Sequence, residues 1–284
     1  IYPDGSTYES HTGGYGTGMI RELKDPIRML RMVDEQVPDA LNTTLESMYD
    51  WILSITTPLG YASPISQVYH DHYGFDVAEI ARDAARLTGR EDLLYIGTGG
   101  LDGQRPEHTS YPHTSRMPCY GGVYVMRSDW AREALYLCAK MGPMHYRHCS
   151  NQGHFVIDAY GTELVIGPGY AHEGGAFHAY TDKYMCGDGK SHNTIAVDGF
   201  GQKEGARGKY ASRQLDNVWL TNDAFDFLEG SFDFAPQGID VRHTRAILFV
   251  KPDYWIVFDR IDGDGDEAHD LRMKFQLHPD LETR

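Results

Sequence analysis

Two short stretches hold most of the residues that could do chemistry. HYRHCSNQGH, residues 145–154, packs three histidines, an arginine, a cysteine and an asparagine into ten positions. SHNT, residues 191–194, adds His192 and Asn193. Each stretch leads into an apolar run, FVIDA in the first case and IAV in the second. Such runs read as strands, so the polar groups stand where a sheet would hold them at its rim. A strand that merely faces solvent needs no such arrangement. Imidazole and guanidinium at a rigid rim suit proton transfer, anion binding or metal ligation.

The elements that must position them fall into two textures. From residue 17 to about 100 the chain reads as helical. MIRELKDPIRMLRMVDE places apolar residues near a helical period and is interrupted by Pro26. ALNTTLESMYDWILSIT carries its stripe at 41, 45, 48, 52 and 55. FDVAEIARDAARLTG is expected to stop at Gly89. From about Pro118 onward the chain alternates and is rich in β-formers: VYVMR, ALYLCAK, HFVIDAYG, ELVIG, NTIAVDG, NVWLT, FDFLEGSFDF, VRHTRAILFV, DYWIVFDRI and LRMKFQL. AYGTE and KPDY read as hairpin turns. The spacing predicts an antiparallel sandwich. Helical residues 1–115 and a β part at 116–284 follow from this.

Composition narrows the function. The 284 residues carry a net charge of −15, which argues against a nucleic-acid partner. No run of eighteen apolar residues marks a membrane span. Four cysteines without a CxxC pair argue against a zinc ribbon and permit, without requiring, two disulfides. Residue 1 is Ile and no signal peptide precedes it. Both ends read as cut, as expected of a piece of a longer protein.

The helices-then-sandwich order resembles the heparinase II/III-like polysaccharide lyases, which include alginate and oligoalginate lyases. The residues that carry the resemblance are DGSTYESHTGGY, GGVYVMRSDW, the His-containing loop before FVIDAYGTELVIGPGY, SHNTIAVDGFGQ and RAILFVKPDYWIVFDRI. The resemblance implies the C-terminal part of an (α/α) toroid followed by an antiparallel β-sandwich, with a cleft between them. It implies β-elimination on a uronic-acid polysaccharide. The proton on C5 is a weak acid, so donors or cations must neutralise the charge that develops. A base must reach C5 and an acid the leaving oxygen.

By the same resemblance Tyr15 is the general base and acid, with Tyr8 its nearest competitor, and His148 neutralises the carboxylate or assists proton transfer. Arg147, Tyr146 and His154 are expected to line the substrate, Arg147 through a bidentate grip on a carboxylate. Some members hold zinc through a His, an Asp and the His of H-N-T. Here His192 matches the last, Gly167 stands in place of the Asp, and Cys149 is a possible soft ligand. The alternative for His192 is a buried histidine bonded across the sandwich. HDHYG at 70–74, with Tyr69, Tyr73 and Phe75, is expected to touch sugar. Arg242, His243 and Arg245 are expected on the sandwich surface.

The partner implied is an anionic polysaccharide or oligosaccharide, met in the periplasm or outside the cell. Screening beyond roughly 8–10 Å reconciles it with the acidic net charge. Two rival readings stay open: a glycoside hydrolase, which needs a flanking carboxylate pair, and a non-catalytic carbohydrate-binding homologue. The family also draws an Asn from upstream of the DGS loop, so the 284 residues alone are expected to show little activity.

Overall fold

The computed structural model describes residues 1–7, 15–65, 77–143, 151–167, 191–201, 211–234, 238–263 and 265–281. Four helices come first: α1 (Tyr15–Met32), α2 (Asp39–Ile55), α3 (Val77–Thr88) and α4 (Glu91–Gly97). The α2 stripe is buried as its spacing predicts, through Leu45, Met48, Ile52 and Ile55. α3 ends where Gly89 takes a φ of 75° and its N–H bonds back to Ala85, the usual glycine stop. Pro26 does not interrupt α1. It sits on the exposed side, where water can take the carbonyl it leaves free, while Ile20 and Ile27 anchor the opposite face in the core.

Eleven strands follow among the described residues. β1 (Ser110–Tyr111), β2 (Val123–Arg127), β3 (Tyr136–Lys140), β4 (Phe155–Ala159) and β5 (Thr162–Val165) form one antiparallel sheet in that order. β7 (Val218–Thr221), β8 (Phe225–Asp233), β9 (Val241–Val250) and β10 (Tyr254–Gly263) form a second. β6 (Ile195–Val197) pairs with β11 (Leu271–Met273). Both expected hairpins are present. Tyr160 and Gly161 turn β4 into β5 with positive φ at both positions, and Lys251–Asp253 turn β9 into β10.

The centre of the five-stranded sheet, β2 to β4, is buried on both faces, while its edge strand β5 is partly exposed. Val123, Val125, Tyr136, Cys138 and Val156 pack on the helices, in one core with Met48, Ile52 and Leu93. Tyr124, Met126, Leu137, Ala139 and Phe155 pack on the second sheet against Leu228, Phe232, Ile247 and Phe249. The molecule is therefore layered as helices, sheet, sheet, and β2 and β3 are near-continuous apolar runs for that reason.

Arg127 ties the first two layers together. Its guanidinium is wholly buried, donates to the carbonyls of Ser54 and Thr56 at the end of α2, and stacks 3.6 Å from the Trp130 ring. A cation there meets the negative end of the helix. Tyr136 adds a third bond, to Ile55 O at 3.1 Å.

Asp158 carries a pH dependence. It is buried in β4 opposite Glu163, and burial first, then the Glu163 charge, push its carboxyl up to about 7. The folded value lies above the unfolded one, roughly 3.9, so the stabilisation is full below that and is lost as pH rises through about 7. Asp158→Asn is expected to melt above the parent at pH near 8 and to show no gain at pH near 4. Thermal melts at the two pH values check this; equal gains at both would refute the assignment.

Candidate functional site at the sandwich rim

On either side of residues 144–150 the chain is pinned where β3 ends and β4 begins. Lys140 N–H donates to His154 O and Gly153 N–H to Lys140 O, both at 2.8 Å. Gln152 Nε2 donates to Gly142 O, and Asn217 Nδ2 to Met141 O. His148, Arg147, Tyr146 and Cys149 lie outside the described residues, as do the HDHYG residues 70–74 and the side chain of Tyr15. Tyr15 itself is the first residue of α1.

The SHNT motif is built into the wall behind those pinned ends. Asn193 is its hub. The Asn193 N–H donates to His154 Nδ1, its Nδ2 to Phe155 O and Ile166 O, and its Oδ1 accepts from Gln276 N–H. One side chain thus joins the start of β4, the end of β5 and the segment that follows β11. Thr194 Oγ1 adds a bond to Gln152 O.

A charged cluster lies beneath it. Arg245 forms a two-pronged pair with Asp259, Nε to Oδ1 at 2.7 Å and Nη2 to Oδ2 at 2.9 Å. Its Nη1 donates to Gly153 O and Asn193 O, both at 2.6 Å. His243 Nε2 bonds the same carboxylate at 2.6 Å. Burial alone would raise the Asp259 carboxyl, yet the bonds from His243 and Arg245 outweigh it and hold it down to about 2. Burial keeps His243 below its usual value, so the imidazole is neutral with its proton on Nε2.

The surface expectation therefore holds for Arg242, which is exposed, and is corrected for His243 and Arg245, whose side chains have no exposure. The signal was present in the alternation of VRHTRAILFV. Val241, His243, Arg245, Ile247 and Phe249 share one parity, and that parity faces the core. Asn193, by contrast, gave no sign of its role, because its partners come from four separate segments.

His154 and His192 are both buried, with ring centroids 5.0 Å apart and edge-on. Burial pushes His192 down to about 4. Burial, with His192 and Arg245 adding to it, holds His154 well below its usual value. His154 has no surface to offer a polymer in this arrangement; its ring supports Asn193 instead.

Of the expected zinc ligands, Cys149 and His148 lie outside the described residues, while His192 and the position of Gly167 are described, with His154 as the imidazole beside both. The His154 Nδ1 lone pair is taken by Asn193, so the single ring proton is on Nε2, which has no hydrogen-bond partner and presents no lone pair to a metal. A side chain at Gly167 would begin 2.5 Å from Pro64 O and 3.2 Å from His154 Nε2, so an aspartate ligand does not fit there. Among the described residues no three His, Cys, Asp or Glu side chains converge. The described residues do not fit a three-ligand zinc site.

Fold and site together define a helix-capped antiparallel sandwich with an ionisable rim. Residues 113–284 match the family model described as Heparinase II/III-like, C-terminal. The chain belongs to that family.

The chain is 22% identical over 256 residues to a heparin-sulfate lyase of Pedobacter heparinus, covering 87% of this chain and 35% of that protein. A heparin-sulfate lyase of Bacteroides stercoris is 23% identical over 190 residues, covering 65% and 25%. The chain thus spans about a third or less of these curated relatives. Among solved structures, heparan sulfate lyase HepC from Pedobacter heparinus superposes with a TM-score of 0.82 at 20% identity, over 99% of this chain and 42% of that one. A heparinase III superposes with a TM-score of 0.77 at 19% identity, over 93% and 40%.

Proposed function

We propose that the protein containing this chain is a polysaccharide lyase that cleaves a uronic-acid polymer by β-elimination, with heparan sulfate or heparin as its first substrate class and alginate as the second. The observation that carries the reading is the family match over residues 113–284, joined by likeness in fold to a heparan sulfate lyase along 99% of the chain. The four helices are read as the end of an (α/α) toroid, and the cleft as lying between it and the sandwich.

In this reading the Tyr15 phenolate removes the C5 proton beside the uronate carboxylate. His148 and Arg147 offset the charge that builds on that carboxylate, and Tyr146 lines the sugar. The electron pair from C5 forms the C4–C5 double bond, the bond from C4 to the glycosidic oxygen breaks, and the Tyr15 hydroxyl returns its proton to that oxygen. No water is consumed. A polymer of this size and charge is met outside the cytoplasm, so a periplasmic or extracellular location is part of the proposal.

Incubation of the complete protein with heparan sulfate, heparin and alginate in turn tests it. The expected result is a rise in the ultraviolet absorbance of the conjugated unsaturated uronide with heparan sulfate or heparin. New reducing ends without that absorbance would mean hydrolysis; binding without either would mean a carbohydrate-binding protein. Cell fractionation checks the location.

A further inference from the structure

The DGS loop is gripped from three sides. Asp4 is buried, and its carboxylate accepts four hydrogen bonds: Ser6 N–H at 3.1 Å and Ser6 Oγ at 2.6 Å on Oδ1, Tyr120 N–H at 2.6 Å and Gly121 N–H at 3.1 Å on Oδ2. The Tyr111 hydroxyl donates to the Asp4 carbonyl. Gly5, with φ of 81°, lies so close to α2 that a Cβ on it would stand 2.0 Å from Ser47 O. The loop therefore touches the helical layer through Gly5 and the sheet through Asp4.

Lys140 meets the same residue, Gly121, from the other side. Its ammonium is fully buried at the end of β3, and Nζ donates to Gly121 O at 2.6 Å. Burial pushes it down to about 7, with Cys119 and Asp4 opposing. Just beyond, Gly122 and Gly142 cross so closely that a Cβ on Gly122 would stand 2.3 Å from Gly142 Cα. The Tyr120–Gly121 segment thus has its N–H groups held by Asp4 and its carbonyl by Lys140, at the point where β3 runs on toward residues 144–150.

We propose that Asp4 and Lys140 are positioning residues, a clamp that seats the DGS loop on the sandwich rim and so sets the first turn of α1, which begins at Tyr15, against that rim. The proposal rests on the reading of Tyr15 as general base. Ten residues lie between Asp4 and Tyr15; the clamp holds the described residues on one side of them, and Ile20 seats α1 in the core on the other. A shift of about 1 Å in a reacting group can cost on the order of a hundredfold in rate.

The test uses the complete protein with heparan sulfate as substrate. In Asp4→Asn an NH2 replaces an oxygen: turned toward Tyr120 and Gly121 it opposes two N–H donors, and turned toward Ser6 it opposes one, since the Ser6 hydroxyl can accept. Below its melting temperature this variant is expected to lose about tenfold to a hundredfold in kcat with KM changed less than about twofold, and Lys140→Met to show the same split. Added to Tyr15→Phe, Asp4→Asn is expected to cost nothing further. Amide exchange at Tyr120, Gly121 and the first turn of α1 is expected to rise together. Should Asp4→Asn not fold, Tyr111→Phe removes one bond to the loop and is expected to give the same split at several-fold. Unchanged kcat despite faster exchange at Tyr120 and Gly121 would overturn the clamp. So would independent, multiplying losses from Asp4→Asn and Tyr15→Phe. If Tyr15→Phe alone keeps full turnover, the base assignment fails instead, and the clamp then stands or falls on whether α1 exchange rises with that of Tyr120 and Gly121.

Discussion

Tyr15→Phe, made in the complete protein, is expected to lower kcat on heparan sulfate by about 10²–10⁴-fold, the usual worth of one positioned acid–base group. The substitution removes a single hydroxyl. Among the described residues Ile20 and Ile27 hold α1 in the core and are untouched by the change, so circular dichroism is expected to keep the parent signal. KM should move little, since the lost group acts on the proton and the leaving oxygen rather than on the grip of the polymer. Steady-state rates followed by the product's double-bond absorbance give the answer. Loss confined to Tyr8→Phe would move the assignment to that residue, and full activity in both variants would remove tyrosine base catalysis from the mechanism.

Arg245→Met is expected to carry the largest stability loss, about 3–5 kcal/mol. The cost comes from what remains. Asp259 would be left almost buried with only His243 as partner, and the carbonyls of Gly153 and Asn193 would lose their donor. Arg245→Lys should recover little, because one ammonium cannot reproduce a fork that reaches both carboxylate oxygens and two carbonyls. Chemical denaturation compared with the parent reads the difference, and a loss below about 1 kcal/mol would show that the cluster relaxes or hydrates. A milder change probes the loop next to it in the chain of contacts. Gly5→Ala combines a positive φ with a collision against Ser47 O and is expected to cost at least about 2–3 kcal/mol by the same measurement.

Which of these groups could be recognised from the chain alone depended on periodicity. The α2 stripe, the Gly89 stop and the two hairpin turns are local patterns, and each is present where its residues place it. His243 and Arg245 were legible by parity with Ile247 and Phe249, yet their charge argued for the surface. Asp259, which makes their burial tolerable, sits on the next strand at a register the sequence does not state; Arg245 is its direct cross-strand partner.

Asp4, Lys140 and Asn193 carried no such signal. Asp4 reads as a turn former, Lys140 as a solvated end of a strand and Asn193 as part of a motif with His192. Side-chain spacing along a few residues was enough for the element types and the antiparallel hairpins, and the order of motifs along the chain was enough for the resemblance to the family. Packing between distant segments set the rest: β2 and β3 are covered on both faces, His154 uses its Nδ1 on Asn193, and Asp4 and Lys140 both bond to Gly121. Those outcomes depend on hydrogen bonds and close contacts between segments far apart in the chain, 117 residues in the case of Gly121 and Asp4. Buried polar groups must find partners wherever the packed layers bring them.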